Sequence, residues 1–494
     1  MKKKLTRGFG VVAPVFSLDS PYGIGTFGRE AYEFIDFLHM AGASYWQLLP
    51  LGITTYGDSP YQSFYSYGGN PYFIDLDLLV DKGLLTKKEI KACGFKDDGR
   101  VDYGLLYQKR YDVLRRAFAR LSPSQEKKLE LFYNKNVTWL RDFALFMILK
   151  DMHQGRPWYE WEEDYKTRYE KALNILINKK EDDFKFQVFL QYEFFNQWSK
   201  LRAYANKKGI KIIGDLPIYI PMDSVDAWVN PHILQLEEDL TPRLVSGAPP
   251  DDYNDKGQLW NTPIYDWEYL MVNKYEYWVD KLAANMNLYD IIRLDHFIGF
   301  ENYWAIDPLD GDARKGQWVK GPGQDFFRQV FDRLAQLNLI VEDLGALNQD
   351  VIDLREKIGC PGMKVLQFGF SKDMKSSSLI HTAKTNMVAY SSTPDSPTLM
   401  GWMDDLDKEG LDLVKKYFGL SYDENYNWKI IRALMASVAD LAMFSVADLL
   451  GFKDQARINV PGSLGDNWTW RMDKNLLDKE IADRLRLMAY LYDR

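Results

Sequence analysis

Three acidic residues at the ends of short apolar runs, with a fourth nearby, carry the chemistry open to this sequence. Tyr289-Asp-Ile-Ile-Arg-Leu-Asp-His296 ends a β-branched run with Arg293 and Asp295 two positions apart, hence on one side of an extended strand, and with His296 just beyond. An arginine so placed holds the carboxylate ionised and aimed. Leu339-Ile-Val-Glu-Asp343 ends in adjacent acids, Glu342 and Asp343, whose repulsion predicts a raised pKa for one of them unless it is paired. A general acid needs such a raised pKa near neutral pH. Val388-Ala-Tyr-Ser-Ser-Thr-Pro-Asp395 brings a third acid to a run's end, behind a proline that restricts Thr393. Ile212-Ile-Gly-Asp-Leu-Pro217 supplies Asp215, which reads as structural rather than catalytic. Taken singly, each segment has a plainer reading: a structural Arg–Asp pair, a solvated strand end, a Pro-Asp turn. Together, acids from separate strands can face one point, and a pair roughly 5–5.5 Å apart suits retaining glycoside chemistry. One carboxylate attacks the anomeric carbon, the other protonates the departing oxygen, and the third steadies charge developing at the ring.

The elements that must position these acids recur along the chain. Apolar runs ending in polar residues cover Val11–Ser17, Tyr45–Leu51, Ile210–Ile218, Ile291–Asp295, Leu339–Glu342, Met363–Phe370, Met387–Ser391 and Leu441–Val446. Amphipathic stretches such as Glu30–Ala43 and Asp325–Leu337 alternate with them, which argues for parallel βα units. A (β/α)8 TIM barrel, with chemistry at the C-terminal ends of its strands, is the economical closure. About 160 residues separate the second run from the third and about 70 the third from the fourth. The whole chain, 1–494, is therefore expected to be one barrel unit carrying two insertions. The first, 52–205, has charged helical sequence (Gln125–Phe132, Lys166–Lys180, Phe184–Tyr204) and predicts a mostly helical subdomain. The second, 219–288, is rich in Pro, Asp and Trp and predicts a loop-rich lid.

Composition narrows the partner. Sixty-two Lys and Arg against 70 Asp and Glu leave a net charge of −8, so no global positive field attracts nucleic acid or an anionic membrane. Aromatics make up 15% of the chain, with 15 Trp and 31 Tyr, and flat amphipathic rings suit stacking on sugar faces as well as core packing. Cys93 and Cys360 lie far apart and the five histidines form no ligand pattern, so neither disulfide nor metal is expected. The basic start, Met1-Lys-Lys-Lys, runs into Gly8-Phe-Gly without an apolar h-region, and no run of about 18 apolar residues follows, which predicts a soluble, cytoplasmic protein.

Gly23-Ile-Gly-Thr-Phe-Gly28 matches G-x-G-x-x-G between a strand and a helix. The next strand ends in Gln47-Leu-Leu-Pro-Leu-Gly52 and offers no acid for a ribose, so a tight βα turn is the better reading and a dinucleotide cofactor is not expected.

Taken together, these segments resemble the amylomaltases, the 4-α-glucanotransferases or disproportionating enzymes of glycoside hydrolase family 77. The resemblance runs from Ser20-Pro-Tyr-Gly-Ile-Gly25 and Tyr45-Trp-Gln-Leu-Leu-Pro-Leu51 through Gly57-Asp-Ser-Pro-Tyr-Gln-Ser-Phe64, Gly214-Asp-Leu-Pro-Ile-Tyr219 and Gly257-Gln-Leu-Trp260. It continues in Arg293-Leu-Asp-His-Phe297, Glu342-Asp-Leu-Gly345, Asp448-Leu-Leu-Gly451, Arg457-Ile-Asn-Val-Pro-Gly462 and Asn467-Trp-Thr-Trp-Arg471. It implies transfer of α-1,4-glucan segments between maltooligosaccharides with no metal or organic cofactor. Asp295 is then the nucleophile, Glu342 the acid/base and Asp395 the transition-state stabiliser. Ser59, Tyr61, Asp215, Gln258, Trp260, Arg293, His296 and Asn467 match positions near the glucan, and Ala248-Pro-Pro-Asp-Asp-Tyr253 matches a mobile loop beside the cleft. Aromatic platforms such as Trp260 and Tyr253 would favour a sugar acceptor over water.

The chain departs from that pattern at several places. It reads Thr393-Pro-Asp-Ser396 where the family usually reads Thr-His-Asp-Asn, and Pro394 has neither a side-chain donor nor a backbone N–H. Losing such a donor to the sugar costs about 10²–10³ in rate unless a neighbour substitutes. Ile298 replaces Arg, Asn261 Gly, Ala447 Gln and Asp466 Gly. These changes leave two readings: an active transferase with shifted preference, or a weakened member acting mainly in glucan binding or hydrolysis. Retention of all three carboxylates favours the first.

Overall fold

Runs of β-branched and apolar residues, closed off by Pro, Gly or charge, become strands buried on both faces, as a parallel sheet under helices requires. The computed structural model describes residues 5–494 apart from residues 56, 97, 252–253, 346, 371–375, 377, 422–424 and 464. Among the described residues the strands are β1 (Gly8–Val12), β2 (Tyr45–Gln47), β3 (Lys211–Leu216), β4 (Val245–Ala248), β5 (Gln258–Pro263), β6 (Ile291–Leu294), β7 (Asn302–Ile306), β8 (Gln317–Lys320), β9 (Leu339–Val341), β10 (Gly362–Val365), β11 (Met387–Tyr390) and β12 (Leu441–Ser445).

Eight of these pair in parallel in the order β10-β11-β12-β1-β2-β3-β6-β9. Val341 N–H donates to the Pro361 carbonyl at 3.0 Å, joining β9 to the start of β10 and closing the ring. The fold is a (β/α)8 barrel. Val12, Tyr45, Ile213, Ile291, Ile340, Met363, Val388, Tyr390 and Met443 belong to the cluster that fills its interior. Space there is tight: a Cβ on Gly10 would meet the Tyr45 carbonyl at 2.5 Å and Met443 Sδ at 2.9 Å, so only glycine fits.

The eight barrel strands fall on the eight apolar runs, with shifted ends. The first begins at Gly8 and stops at Val12 instead of covering Val11–Ser17, because Pro14 cannot extend a ladder and Val15–Ser17 close a 3₁₀ turn. The run Met363–Phe370 is a strand only to Val365, with Leu366–Gly369 forming a second such turn. The glycine-rich turn is a packing device. A Cβ on Gly25 would collide with the Val15 carbonyl, and one on Gly28 with the Asp75 carboxylate.

Between β2 and β3 the chain is helical, with long helices Pro123–Met152 and Glu181–Lys207. The stretch Lys166–Lys180 is not one helix. Arg168 takes a left-handed φ of 58°, breaking it between Glu163–Lys166 and Glu170–Lys179, and donates to Asp142 at 2.6 Å. Beyond β3, β4 and β5 join β7 and β8 in an antiparallel sheet of order β5-β4-β7-β8, so half of that sheet comes from after β6.

Candidate active site

β3, β6 and β9 are neighbours, and their ladders run one residue past the strands themselves. Asp295 N–H donates to the Leu216 carbonyl and Glu342 N–H to the Leu294 carbonyl, each at 3.0 Å. Both acids are thereby fixed at the C-terminal rim of the barrel, where this fold keeps its chemistry. Arg293, 4% exposed, pairs in register with Asp215. Its Nη1 reaches Asp215 Oδ1 and Oδ2 at 2.6 and 2.7 Å and Asp295 Oδ1 at 2.9 Å, and its Nη2 lies 4.0 Å from Glu342 Oε2. Tyr61 completes the network, its hydroxyl donating to Asp215 Oδ2 at 2.8 Å. Asp215 is the buried counter-charge that holds the guanidinium in place.

The electrostatics separate the two rim acids. Burial, reinforced by the charges of Asp215 and Asp395 and opposed by Arg293, pushes Asp295 up to about 7. Burial and the adjacent Asp295 charge push Glu342 well above the usual carboxylate range, against Arg293 and the His296 N–H, which donates to Glu342 Oε2 at 2.6 Å. A proton shared by the pair therefore resides on Glu342, leaving Asp295 ionised against Arg293. The origin of the Glu342 shift differs from the sequence expectation. Asp343 is not the repelling partner: it is 1% exposed, ion-paired with Arg355, and accepts from Met363 N–H at 2.6 Å. Alternation along the chain sends the two neighbours to opposite sides.

Asp395 arrives from the loop after β11. It is exposed, its Oδ1 accepting from Asn459 Nδ2 at 2.6 Å and its carbonyl from Arg457 at 3.3 Å. Its charge raises Asp215, Asp295 and Glu342, so it acts on the same space as the other acids. Behind it, Asp448 accepts from the Ser391 and Ser392 hydroxyls and from Leu399 N–H, pinning the segment that leads to Asp395. Pro394 lines a small open pocket together with Thr393, Ser396, Ser445 and Arg457.

His296 stands in a left-handed conformation, φ 49°, with its ring edge-on to Trp260 at 4.7 Å and 6.3 Å from Tyr219. Burial pulls its pKa down to about 4, so the ring is neutral, and its buried Nε2 has no hydrogen-bond partner among the described residues. Gln258 accepts from Trp260 Nε1 at 3.1 Å, and Ser59 accepts from Tyr61 N–H at 3.3 Å. The Tyr61 ring lies 5.8 Å from that of Trp468. Asn467 is the outlier, because its side chain bonds within its own loop, to Val460 N–H and to Ser463. Tyr253 lies outside the described residues. Sequence reasoning passed over Tyr219 and Asn459. Asn459 sits inside a motif quoted for the resemblance, yet nothing local ties it to an acid 64 residues away.

Two departures from the family pattern have a backbone origin. Asn261 and Asp466 both adopt left-handed φ, 57° and 52°. Glycine is the usual solution there, and Asn and Asp are the side chains that tolerate it best. Ile298 and Ala447 are buried.

The profile of the family described as 4-alpha-glucanotransferase, glycoside hydrolase family 77, matches residues 13–477. This chain belongs to that family. The 4-alpha-glucanotransferase of Clostridium butyricum is 43% identical over 97% of this chain and 99% of its own length. That of Thermus thermophilus is 39% identical over 99% and 100%. The solved amylomaltase of Streptococcus agalactiae, in complex with acarbose, superposes with a TM-score of 0.96 at 36% identity, covering 99% of each chain. Among the described residues no group of three or more His, Cys, Asp or Glu is arranged to hold a metal ion, and no helix is long and apolar enough to cross a membrane.

Proposed function

We infer that this member of the 4-α-glucanotransferase family transfers α-1,4-glucan segments between maltooligosaccharides in the cytoplasm by double displacement. The observation that carries the reading is the split of the rim pair: Glu342 holds a proton while Asp295, clamped by Arg293, is free to attack. As the glycosidic C–O bond breaks, Glu342 gives its proton to the leaving oxygen and Asp295 bonds to the anomeric carbon. The acceptor hydroxyl then returns a proton to Glu342 as its oxygen displaces Asp295. Asp395, exposed in the cleft and steadied by Asn459, offsets positive charge at the ring in both steps. The unpartnered Nε2 of His296 supplies a hydrogen-bonding position for a substrate hydroxyl. Trp260 and Tyr219 form an aromatic wall beside it that favours a sugar over water as acceptor.

Incubation with maltotriose, followed by chromatography, tests the reading. Glucose together with oligomers longer than the substrate is the expected result. Glucose and maltose alone would mean hydrolysis, and an unchanged substrate would mean binding only.

A further inference from the structure

The register of the small sheet aligns Leu259 of β5, Gly247 of β4, Trp304 of β7 and Trp318 of β8. Directly opposed residues of antiparallel strands point to the same side, so this row shares one face. Trp260, one position along β5, points to the other, where its ring meets His296. The row lies on the face of the satellite cluster Val245, Ile306 and Ala313, against which Leu259 and Trp304 pack. Trp304 is fixed there by an Nε1 hydrogen bond to the Ala313 carbonyl at 2.9 Å, and its ring meets Trp318 at 5.2 Å and 70°. Trp318 is nonetheless 45% exposed, so a large part of a buttressed indole stands in solvent on an edge strand.

We propose that this outer face, centred on Trp318, is a second binding site for α-1,4-glucan, separate from the catalytic cleft; the inference rests on the transferase reading above. A protein partner fits poorly. One indole falls far short of the roughly 800 Å² per partner of a stable interface. The edge is also guarded against strand pairing by exposed Lys320 and by Arg314 and Lys315 in the preceding loop. A neutral sugar chain meets neither obstacle. Its C–H faces lie on the ring, and its hydroxyls find both donors and acceptors in the Asp312–Arg314 pair of the preceding loop, bonded at 2.7–3.0 Å. Because Trp304 already fixes the ring, binding loses little side-chain freedom. β8 lies three strand spacings from β5, about 14 Å, so a long glucan held there stays near the cleft and raises the local concentration of its free ends. The site also overlies the base of the loop after β4, since Ala313 N–H donates to the Lys256 carbonyl at 3.0 Å.

The test uses electrophoresis in gels containing soluble amylose, in a Glu342→Gln background that prevents turnover, with maltotriose transfer measured in the otherwise native enzyme. Trp318→Ala should weaken retardation by amylose about tenfold, the scale of one lost aromatic platform, with Trp318→Tyr largely restoring it. Maltotriose transfer should be unchanged by either substitution. Equal retardation of Trp318→Ala and its Glu342→Gln parent would overturn the proposal, as would a parent that amylose does not retard while the native enzyme converts maltotriose. A native enzyme that leaves maltotriose unconverted would instead overturn the transferase reading on which the site depends.

Discussion

At the residue scale the site is a problem of placing four carboxylates around one guanidinium without letting all of them ionise or all stay neutral. Arg293 is shared between Asp215 and Asp295, and Asp395 adds negative charge from the open side. The raised Asp295 predicts that kcat/KM climbs as pH rises through about 7, where the nucleophile ionises, and falls at higher pH as Glu342 loses its proton. Asp395→Asn removes a charge that raises both groups, so both limbs of the profile should move to lower pH, with kcat reduced about 10²–10³-fold. An unmoved acid limb would show that Asp395 does not act electrostatically on Asp295. Pro394 poses a second question at this scale. It lines a small open pocket among hydroxyl groups and Arg457, and Pro394→His puts the missing donor back beside Asp395. It should raise kcat on maltotriose by about tenfold or more. No gain would mean that a neighbour already fills the role. The three acids were legible because Asp295 and Glu342 close strands and Asp395 follows one within a short turn. Arg293, two positions from Asp295 on one strand, was legible as its partner too, whereas Asp215 to Arg293 and Asn459 to Asp395 were not, because those contacts join residues 78 and 64 positions apart.

At the scale of elements, the segments that hold the site fall into two kinds. Asp295 and Glu342 are extensions of strands and inherit the precision of the ladder. Asp395 sits on a loop and needs separate anchors. Asn459 and Arg457 hold it from outside, and Asp448 holds the end of β11 through Ser391, Ser392 and Leu399 from within. Asp448 is fully buried, so Asp448→Ala strands three donors that no water replaces easily. The expected cost is about 3 kcal/mol or more in urea unfolding, with kcat falling as the Asp395 loop loosens. A variant as stable as the parent would show that the three donors find other partners. The barrel strands could be read from sequence because both faces are apolar. The antiparallel sheet could not: β5 and β7 are only partly buried and β8 is largely exposed, so neither an apolar run nor a clean alternation marks it.

At the scale of the whole molecule, the barrel divides its labour between a rim that does chemistry and a base that keeps eight strands in one ring. Two arginines organise that base. Arg7 donates to the Ala439, Ser437 and Tyr492 carbonyls, while Arg494 reaches those of Met435, Gly8, Ser437 and Ala439 at 2.6–3.1 Å. They tie the beginning of β1 to the turn that leads into β12, contacts spanning up to 486 positions of sequence and invisible to any local pattern. Burial and the neighbouring Arg7 charge pull the Arg494 pKa down to about 9, yet the guanidinium remains protonated at neutral pH and satisfies carbonyls that would otherwise be stranded. Arg494→Ala should therefore lower unfolding stability by about 2–4 kcal/mol, because several acceptors lose a charged donor together. The same variant should leave kcat and KM for maltotriose transfer unchanged at temperatures where it is folded, since its contacts are made at the opposite end of the strands from Asp295 and Glu342. A loss of kcat in the folded variant would mean that strain at the base reaches the rim, and that the two ends of this barrel are not energetically independent.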